Sequence, residues 1–122
     1  MKKLLNSFVY AFAGLRAAWR TELNLRIECF AAFAIIILSL VFRISNFEWL
    51  IVLLNIGIVL FAELVNTAVE ALCNRITTQF DKNIKIIKDI SAAAVLITTV
   101  IACACGVIIF IPRFTKYFAS LF

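Results

Sequence analysis

A long apolar segment from Trp49 to Cys73 constrains the fold more than any other part of this sequence. It exceeds the roughly 20 residues that an α-helix needs to cross a bilayer. Yet it contains two glutamates, Glu63 and Glu70, with Asn66 between them. A charge near the centre of a membrane helix costs roughly 2.5–3.5 kcal/mol on insertion scales. A span that carries two carboxylates on one face therefore indicates chemistry at that face.

The composition predicts a small polytopic membrane protein. The chain has 122 residues, 65% of them hydrophobic, and a mean hydropathy of +1.07. A soluble domain of this length cannot bury so much apolar surface. We predict one all-α integral membrane domain over residues 1–122, with an amphipathic surface helix followed by three transmembrane helices. The expected bounds are 4–20 for the surface helix and 25–47, 49–73 and 90–111 for the spans, the last closed by Pro112.

Basic side chains predict the orientation of these spans. With the N-terminus inside, nine lysines and arginines lie on the cytoplasmic side, and three lie outside: Arg43, Arg113 and Lys116. This asymmetry is typical of positive-inside topology. The net charge of +5 is distributed among the loops. We therefore expect no nucleic-acid partner.

Several common chemistries are excluded by residue types. The chain has no histidine, which removes the usual general base near neutral pH and the usual transition-metal ligand. Its three glycines are isolated, so neither a Walker loop nor a dinucleotide fingerprint is present.

Polar residues from all three spans are expected at one membrane depth. Measured from Trp49, Glu63 lies roughly 20 Å along its helix and Glu70 roughly 30 Å, which places both in the cytoplasmic half. Positions 63, 66, 70 and 74 fall within about 80° on a helical wheel. The neighbouring spans contribute Glu22, Asn24, Arg26, Glu28, Lys85, Lys88 and Asp89. Carboxylates that can hold Mg²⁺ beside lysines that can neutralise phosphate predict phosphoryl transfer at the membrane surface.

Plainer interpretations stay open for some of these residues. The lysines could be interface anchors, Glu22 and Glu28 could be solvated charges at the membrane entry, and Glu63 could join two helices by a hydrogen bond. An oligomeric cation or proton transporter could use Glu63 as its carrier. The lysines disfavour a transporter because they repel cations, and a transport site would favour the midplane.

Four motifs, in order along most of the chain, carry a family resemblance. They are Ala-Gly-Leu-Arg-Ala-Ala-Trp at 13–19, Glu-x-Asn-x-Arg-Ile at 22–27, Glu-Leu-Val-Asn-Thr-Ala-Val-Glu-Ala at 63–71 and Lys-Asp-Ile-Ser-Ala-Ala-Ala-Val-Leu-Ile at 88–97. This pattern resembles the prokaryotic diacylglycerol kinase family, which also contains undecaprenol kinases. The resemblance implies a homotrimer in the bacterial inner membrane, with active sites shared between subunits. It implies ATP-dependent phosphorylation of a lipid alcohol, first diacylglycerol to phosphatidic acid, with undecaprenol as the alternative.

The same resemblance implies residue roles. Glu63 matches the general base, and Glu22 and Glu70 match acidic ligands of the Mg²⁺ that accompanies ATP. Asn66 matches a residue that supports this site. The nucleotide-binding group also includes Tyr10, Lys88 and Asp89, and supporting or substrate positions include Trp19, Asn24 and Arg26.

Three positions depart from the family pattern. Asn74 stands where many members have aspartate, which removes one anionic oxygen. Gln79-Phe80-Asp81 replaces a glutamate-aromatic-histidine run, and Lys3 replaces a frequent arginine, which loses bidentate phosphate geometry. Small residues also recur in the third span at Ala94, Thr98, Ala102 and Gly106, as is typical of close helix packing, either within the chain or between subunits.

Overall fold

The computed structural model describes all 122 residues as four α-helices and contains no strand. The helices are α1 (Lys2–Thr21), α2 (Leu23–Val41), α3 (Asn46–Ile76) and α4 (Lys82–Leu121). By length and composition, α2, α3 and α4 can each cross a membrane. The expected all-α fold, with a preceding helix and three span-forming helices, is confirmed.

The first helix is amphipathic and barely packed within the chain. Ala18 is its one buried residue, and apolar side chains such as Phe8 are exposed. The helix ends where the backbone N–H of Glu22 bonds the Ala18 carbonyl at 2.9 Å. Glu22 itself is extended, and it is the single residue that joins α1 to α2. The direction of α1 relative to the first span therefore depends on the backbone of Glu22.

The first span ends earlier than expected. We predicted it to reach residue 47, but α2 stops at Val41 and Arg43 adopts a left-handed conformation with φ of 51°. The reason is a capping box that starts α3: the Ser45 hydroxyl accepts from the Glu48 N–H at 3.2 Å, and the Glu48 carboxylate accepts from the Ser45 N–H at 3.0 Å. With 19 residues, α2 is about 28 Å long, which is close to the thickness of the hydrocarbon core.

Pro112, expected to close the third span at 90–111, does not end the helix; the membrane bounds of that span stay a prediction. Helix α4 begins at Lys82 and continues through the proline to Leu121. Proline removes one backbone donor, but membrane helices tolerate it where neighbouring groups hold the chain. Here the Phe42 ring packs edge-on against Phe114 at 4.9 Å between centroids, and Arg113 forms an ion pair with Glu48. These contacts hold the segment after Pro112 against the other two spans.

The end of the bundle remote from Glu63, which we call the distal end, holds the only buried apolar cluster. Its four buried members are Ile44, Val52, Ile109 and Phe110. They come from the α2–α3 turn, α3 and α4, so they fix all three span-forming helices together. The Glu48–Arg113 ion pair lies at the same end.

Elsewhere the chain presents its apolar side chains outward. Only 10 of 122 residues are buried, so most apolar surface is left for lipid or for neighbouring molecules. Helix α3 packs most extensively against α4 and less against α2. Along one side of the α3–α4 pair runs an apolar groove of about 510 Å³, lined by residues from Ile58 to Val69 and from Ile87 to Thr98.

Candidate functional site

Glu63 and Asn66 are the most deeply buried functional side chains of α3. Glu63 is 1% exposed and Asn66 is 8% exposed, although both carry groups that water solvates strongly. The Thr67 hydroxyl donates to the Glu63 carbonyl at 2.9 Å, so this threonine satisfies its own polar group within the helix. The Glu63 carboxylate receives no donor from this threonine.

Three buried oxygens at this end of the bundle have no hydrogen-bond partner in the protein. They are Oε1 of Glu63, Oδ1 of Asn66 and Oε2 of Glu28, on the facing helix α2. A buried acceptor without a donor costs roughly 1–3 kcal/mol. The fold retains three such acceptors together, which fits a site that receives donors or a cation from a ligand.

Carboxylates crowd around Glu63. The charges of Glu22 and Glu70 act on Glu63, and the charge of Glu63 acts in turn on Glu28. We call these four glutamates together with Asn66 the polar site. Like charges at this spacing repel, and the repulsion grows where the dielectric is low. The polar site is therefore electrostatically suited to positive charge.

Asn66 also orients one of these carboxylates. Its Nδ2 donates to Oε1 of Glu70 at 3.4 Å, one helical turn further along α3. The bond leaves Oδ1 of Asn66 buried and free to accept from another group. Asn66 thus links Glu63 to the half-buried Glu70 along one face of α3, as the helical spacing predicted.

Helix α4 brings two lysines to the same end of the molecule, and they are paired differently. Lys85 forms an exposed ion pair with Asp89 at 2.6 Å. Lys88, which is half-buried, donates instead to the amide oxygen of Asn74 on α3 at 2.6 Å. The Lys88 charge therefore has no carboxylate partner in the chain, whereas the Lys85 charge has one.

The remaining sequence-predicted residues lie around this site without bonding to Glu63. Tyr10 is largely exposed in the middle of α1. Trp19 packs against Phe30 of α2 with 6.2 Å between ring centroids. Asn24 is exposed and Arg26 is half-buried in the first turns of α2, and neither forms a side-chain hydrogen bond within the chain. A single chain thus brings together Glu22, Glu63, Asn66 and Glu70, and leaves Tyr10, Asn24 and Arg26 apart.

The donor set suits a hard cation but is incomplete within one chain. No group of three acidic or thiol side chains is arranged to hold a metal ion. Carboxylates and an amide oxygen are nonetheless the ligands that Mg²⁺ prefers, and Mg²⁺ usually takes only one or two carboxylates beside substrate phosphates. The residues present therefore fit a metal that arrives with a phosphate ligand.

Two features of the site go beyond the sequence prediction. Glu28 is expected at the depth of the other polar residues, with a solvated charge at the membrane entry as the alternative, and in the structure it shares the inward face of α2 with buried Leu25 and Ser39. Its spacing of three residues from Leu25 and eleven from Ser39 is the signal that could have revealed it. The Asn74–Lys88 contact has no such signal, because it depends on how α3 and α4 meet.

Comparison with known proteins identifies the family. The family model for prokaryotic diacylglycerol kinase matches residues 9–110. An undecaprenol kinase of Bacillus subtilis is 36% identical over 113 residues, covering 93% of this chain and 92% of that protein. A diacylglycerol kinase of Synechocystis is 33% identical over 110 residues, 89% of this chain and 63% of the relative. A diacylglycerol kinase of Escherichia coli is 27% identical over 100 residues and 82% of each chain.

The residues matched by the family model include every member of the polar site and parts of all three span-forming helices. It disfavours the transporter alternative, since the relatives are named kinases. The chain belongs to the prokaryotic diacylglycerol kinase family and is a multi-pass lipid kinase of the bacterial inner membrane.

Proposed function

We propose that this kinase transfers the γ-phosphoryl group of ATP to the hydroxyl of a membrane lipid alcohol at the polar end of the bundle. The observation that carries the proposal is the Glu63 carboxylate, buried at 1% exposure with one oxygen unpartnered. Its unpartnered oxygen can accept a hydrogen bond, and then the proton, from a hydroxyl within reach. It is therefore a suitable general base for a hydroxyl that approaches from the membrane.

The reaction balances with residues of the site in defined roles. Glu63 accepts the hydroxyl proton while the lipid oxygen forms a bond to the γ-phosphorus. The bond from that phosphorus to the β–γ bridging oxygen breaks, and ADP leaves with those electrons. Glu63 then returns its proton to solvent. Positioning and charge neutralisation supply most of the rate enhancement in such transfers.

Glu22 and Glu70 would hold Mg²⁺ that arrives with ATP, and Asn66 would support them. When bound, the ion offsets negative charge on the phosphates. Its presence would also relieve the repulsion among the glutamates. Lys88 would contribute a further positive charge to the phosphates, and Asp89 and Tyr10 complete the nucleotide group expected from the family.

The lipid substrate is one of two alcohols, undecaprenol or diacylglycerol. The relative with 36% identity over 93% of this chain is named undecaprenol kinase, which favours a prenol as the first substrate to test. Diacylglycerol, predicted first from the sequence, is supported by relatives at 33% and 27% identity. Both alcohols place an apolar tail in the membrane and a hydroxyl at its surface, so both suit the polar end.

We further propose a homotrimer with the N-terminus on the cytoplasmic side. The outward-facing apolar side chains and the apolar groove between α3 and α4 provide surface for neighbouring subunits. A neighbouring copy would also supply ligands that one chain lacks at the polar site. Nine basic residues against three support the orientation.

The lipid assay tests the reaction directly. Purified protein in detergent or lipid is given labelled ATP and Mg²⁺ with undecaprenol, diacylglycerol and ceramide in parallel. We expect label in undecaprenol or diacylglycerol and none in ceramide. Failure to label any lipid, by folded protein, contradicts the proposal; faster labelling of diacylglycerol than undecaprenol restores the sequence-based choice of substrate.

A further inference from the structure

The contact between Asn74 and Lys88 links α3 to α4 at the polar end. Lys88 Nζ donates to Asn74 Oδ1 at 2.6 Å across the connection 77–81. Asn74 lies one helical turn after Glu70 on α3. The contact therefore holds the lysine ammonium close to the carboxylate face of α3.

The partner of Lys88 differs chemically from the partner of the neighbouring Lys85. Lys85 is paired with the Asp89 carboxylate, which offsets its charge. An amide oxygen accepts a hydrogen bond without bringing a countercharge, and an ammonium has three donors. Lys88 thus keeps its full charge and two further donors while its direction is fixed.

We propose that Asn74 is a positioning residue for nucleotide phosphate: it aims Lys88 while leaving its charge available. This inference rests on the proposed ATP-dependent function. An aspartate at position 74 would form an ion pair like that of Lys85 and Asp89, which lowers the positive charge offered to phosphate. On this reasoning, the departure from the family pattern is matched to Lys88 and does not weaken the site.

The test measures equilibrium binding of Mg²⁺ with a non-hydrolysable ATP analogue to the purified full-length chain. We expect Asn74→Asp and Asn74→Ala each to raise Kd about three- to tenfold, the size typical of a single charge contact near a protein surface. Asn74→Ser keeps a neutral acceptor and should stay within about twofold of wild type. In turnover assays the KM for ATP should rise with little change in kcat.

A double-mutant cycle separates positioning from a general structural effect. In a Lys88→Gln background, Asn74→Ala should have no further effect on Kd, since the group it positions is gone. Asn83→Asp is the matched control: it makes the same charge change in the first turn of α4, also at the polar end, where Asn83 forms only a backbone hydrogen bond to Asp81. That variant should bind the analogue as wild type does.

Two results overturn the inference alone. One is additive effects of Asn74→Ala and Lys88→Gln, and the other is wild-type affinity in Asn74→Asp. A folded wild-type protein that binds no analogue instead overturns the proposed ATP dependence, and with it this inference. The two failures are therefore distinguishable.

Discussion

The two ends of the bundle differ in whether the chain supplies partners for their carboxylates. At the distal end, Glu48 accepts from the Ser45 N–H and pairs with Arg113, beside the buried cluster that includes Phe110. At the polar end, Glu63 and Asn66 are more deeply buried than Glu48, yet they keep oxygens without partners. The comparison teaches that burial of a carboxylate stabilises the fold only where its partners are supplied by the chain. Where they are not, the group is available for a ligand.

The strongest way to break this comparison is to remove one charge at each end. Glu63→Gln should lower turnover by about 10²–10⁴-fold, the range associated with a general base, while the melting temperature stays at or above that of wild type because one of four crowded charges is removed. The measurement is kcat with the preferred lipid, together with thermal unfolding in the same detergent.

Glu48→Gln is the matched variant at the distal end. It keeps the size of the side chain but loses the charge that pairs with Arg113. We expect a lower melting temperature and wild-type kcat per folded molecule. If Glu48→Gln abolishes turnover in folded protein, or Glu63→Gln retains it, the division between the two ends is wrong.

The second prediction concerns the distal cluster. Phe110 is 5% exposed, and Phe110→Ala should destabilise the protein by up to about 3–5 kcal/mol through lost contacts and the cavity left behind. Phe33 is 63% exposed on α2 and belongs neither to this cluster nor to the α3–α4 groove, so Phe33→Ala should cost less than about 1 kcal/mol. Unfolding in detergent measures both, and equal losses would show that the cluster does not hold the helices together.

The smallest expected effect concerns Glu28 at the polar end. Glu28→Gln removes one of four crowded negative charges, so it should raise stability by roughly 1 kcal/mol while lowering activity. Thermal unfolding and turnover are measured on the same preparation. A loss of stability would show that Glu28 has a partner that stabilises its charge, contrary to the unpartnered oxygen.

The existence of the spans follows from apolar length, but their ends do not. Apolar runs predict α2, α3 and α4 because only helices satisfy the backbone in lipid. Helix α2 ends early because the Ser45–Glu48 capping box starts α3 close behind the apolar run. The continuation of α4 past Pro112 depends on Phe42 and Arg113 contacts that no single segment encodes.

The site divides in the same way. Glu63, Asn66 and Glu70 share one helix, so periodicity alone places them together. The inward position of Glu28 also follows the periodicity of α2, whereas the Asn74–Lys88 contact depends on the meeting of two helices, which periodicity does not specify. The residues alone place Lys88 and Asp89 at the depth of the glutamates and make Lys88 a candidate to neutralise phosphate, whereas the role of Tyr10 rests only on the family resemblance. The nucleotide-binding roles of all three stay predictions.

The uninterrupted length of α4 has a consequence for how the protein sits in the membrane. Lys88 and Arg113 are 25 residues apart on one continuous helix, which corresponds to about 37 Å of helix, against a hydrocarbon core of about 30 Å. The distance between the two basic residues exceeds the core thickness by only about one helical turn. A larger shift of α4 along its axis would move a charge into the hydrocarbon core, which is costly. The length of α4 therefore fixes the position of the reacting groups relative to the lipid headgroups. Bilayer thickness should then govern how well a lipid hydroxyl reaches Glu63.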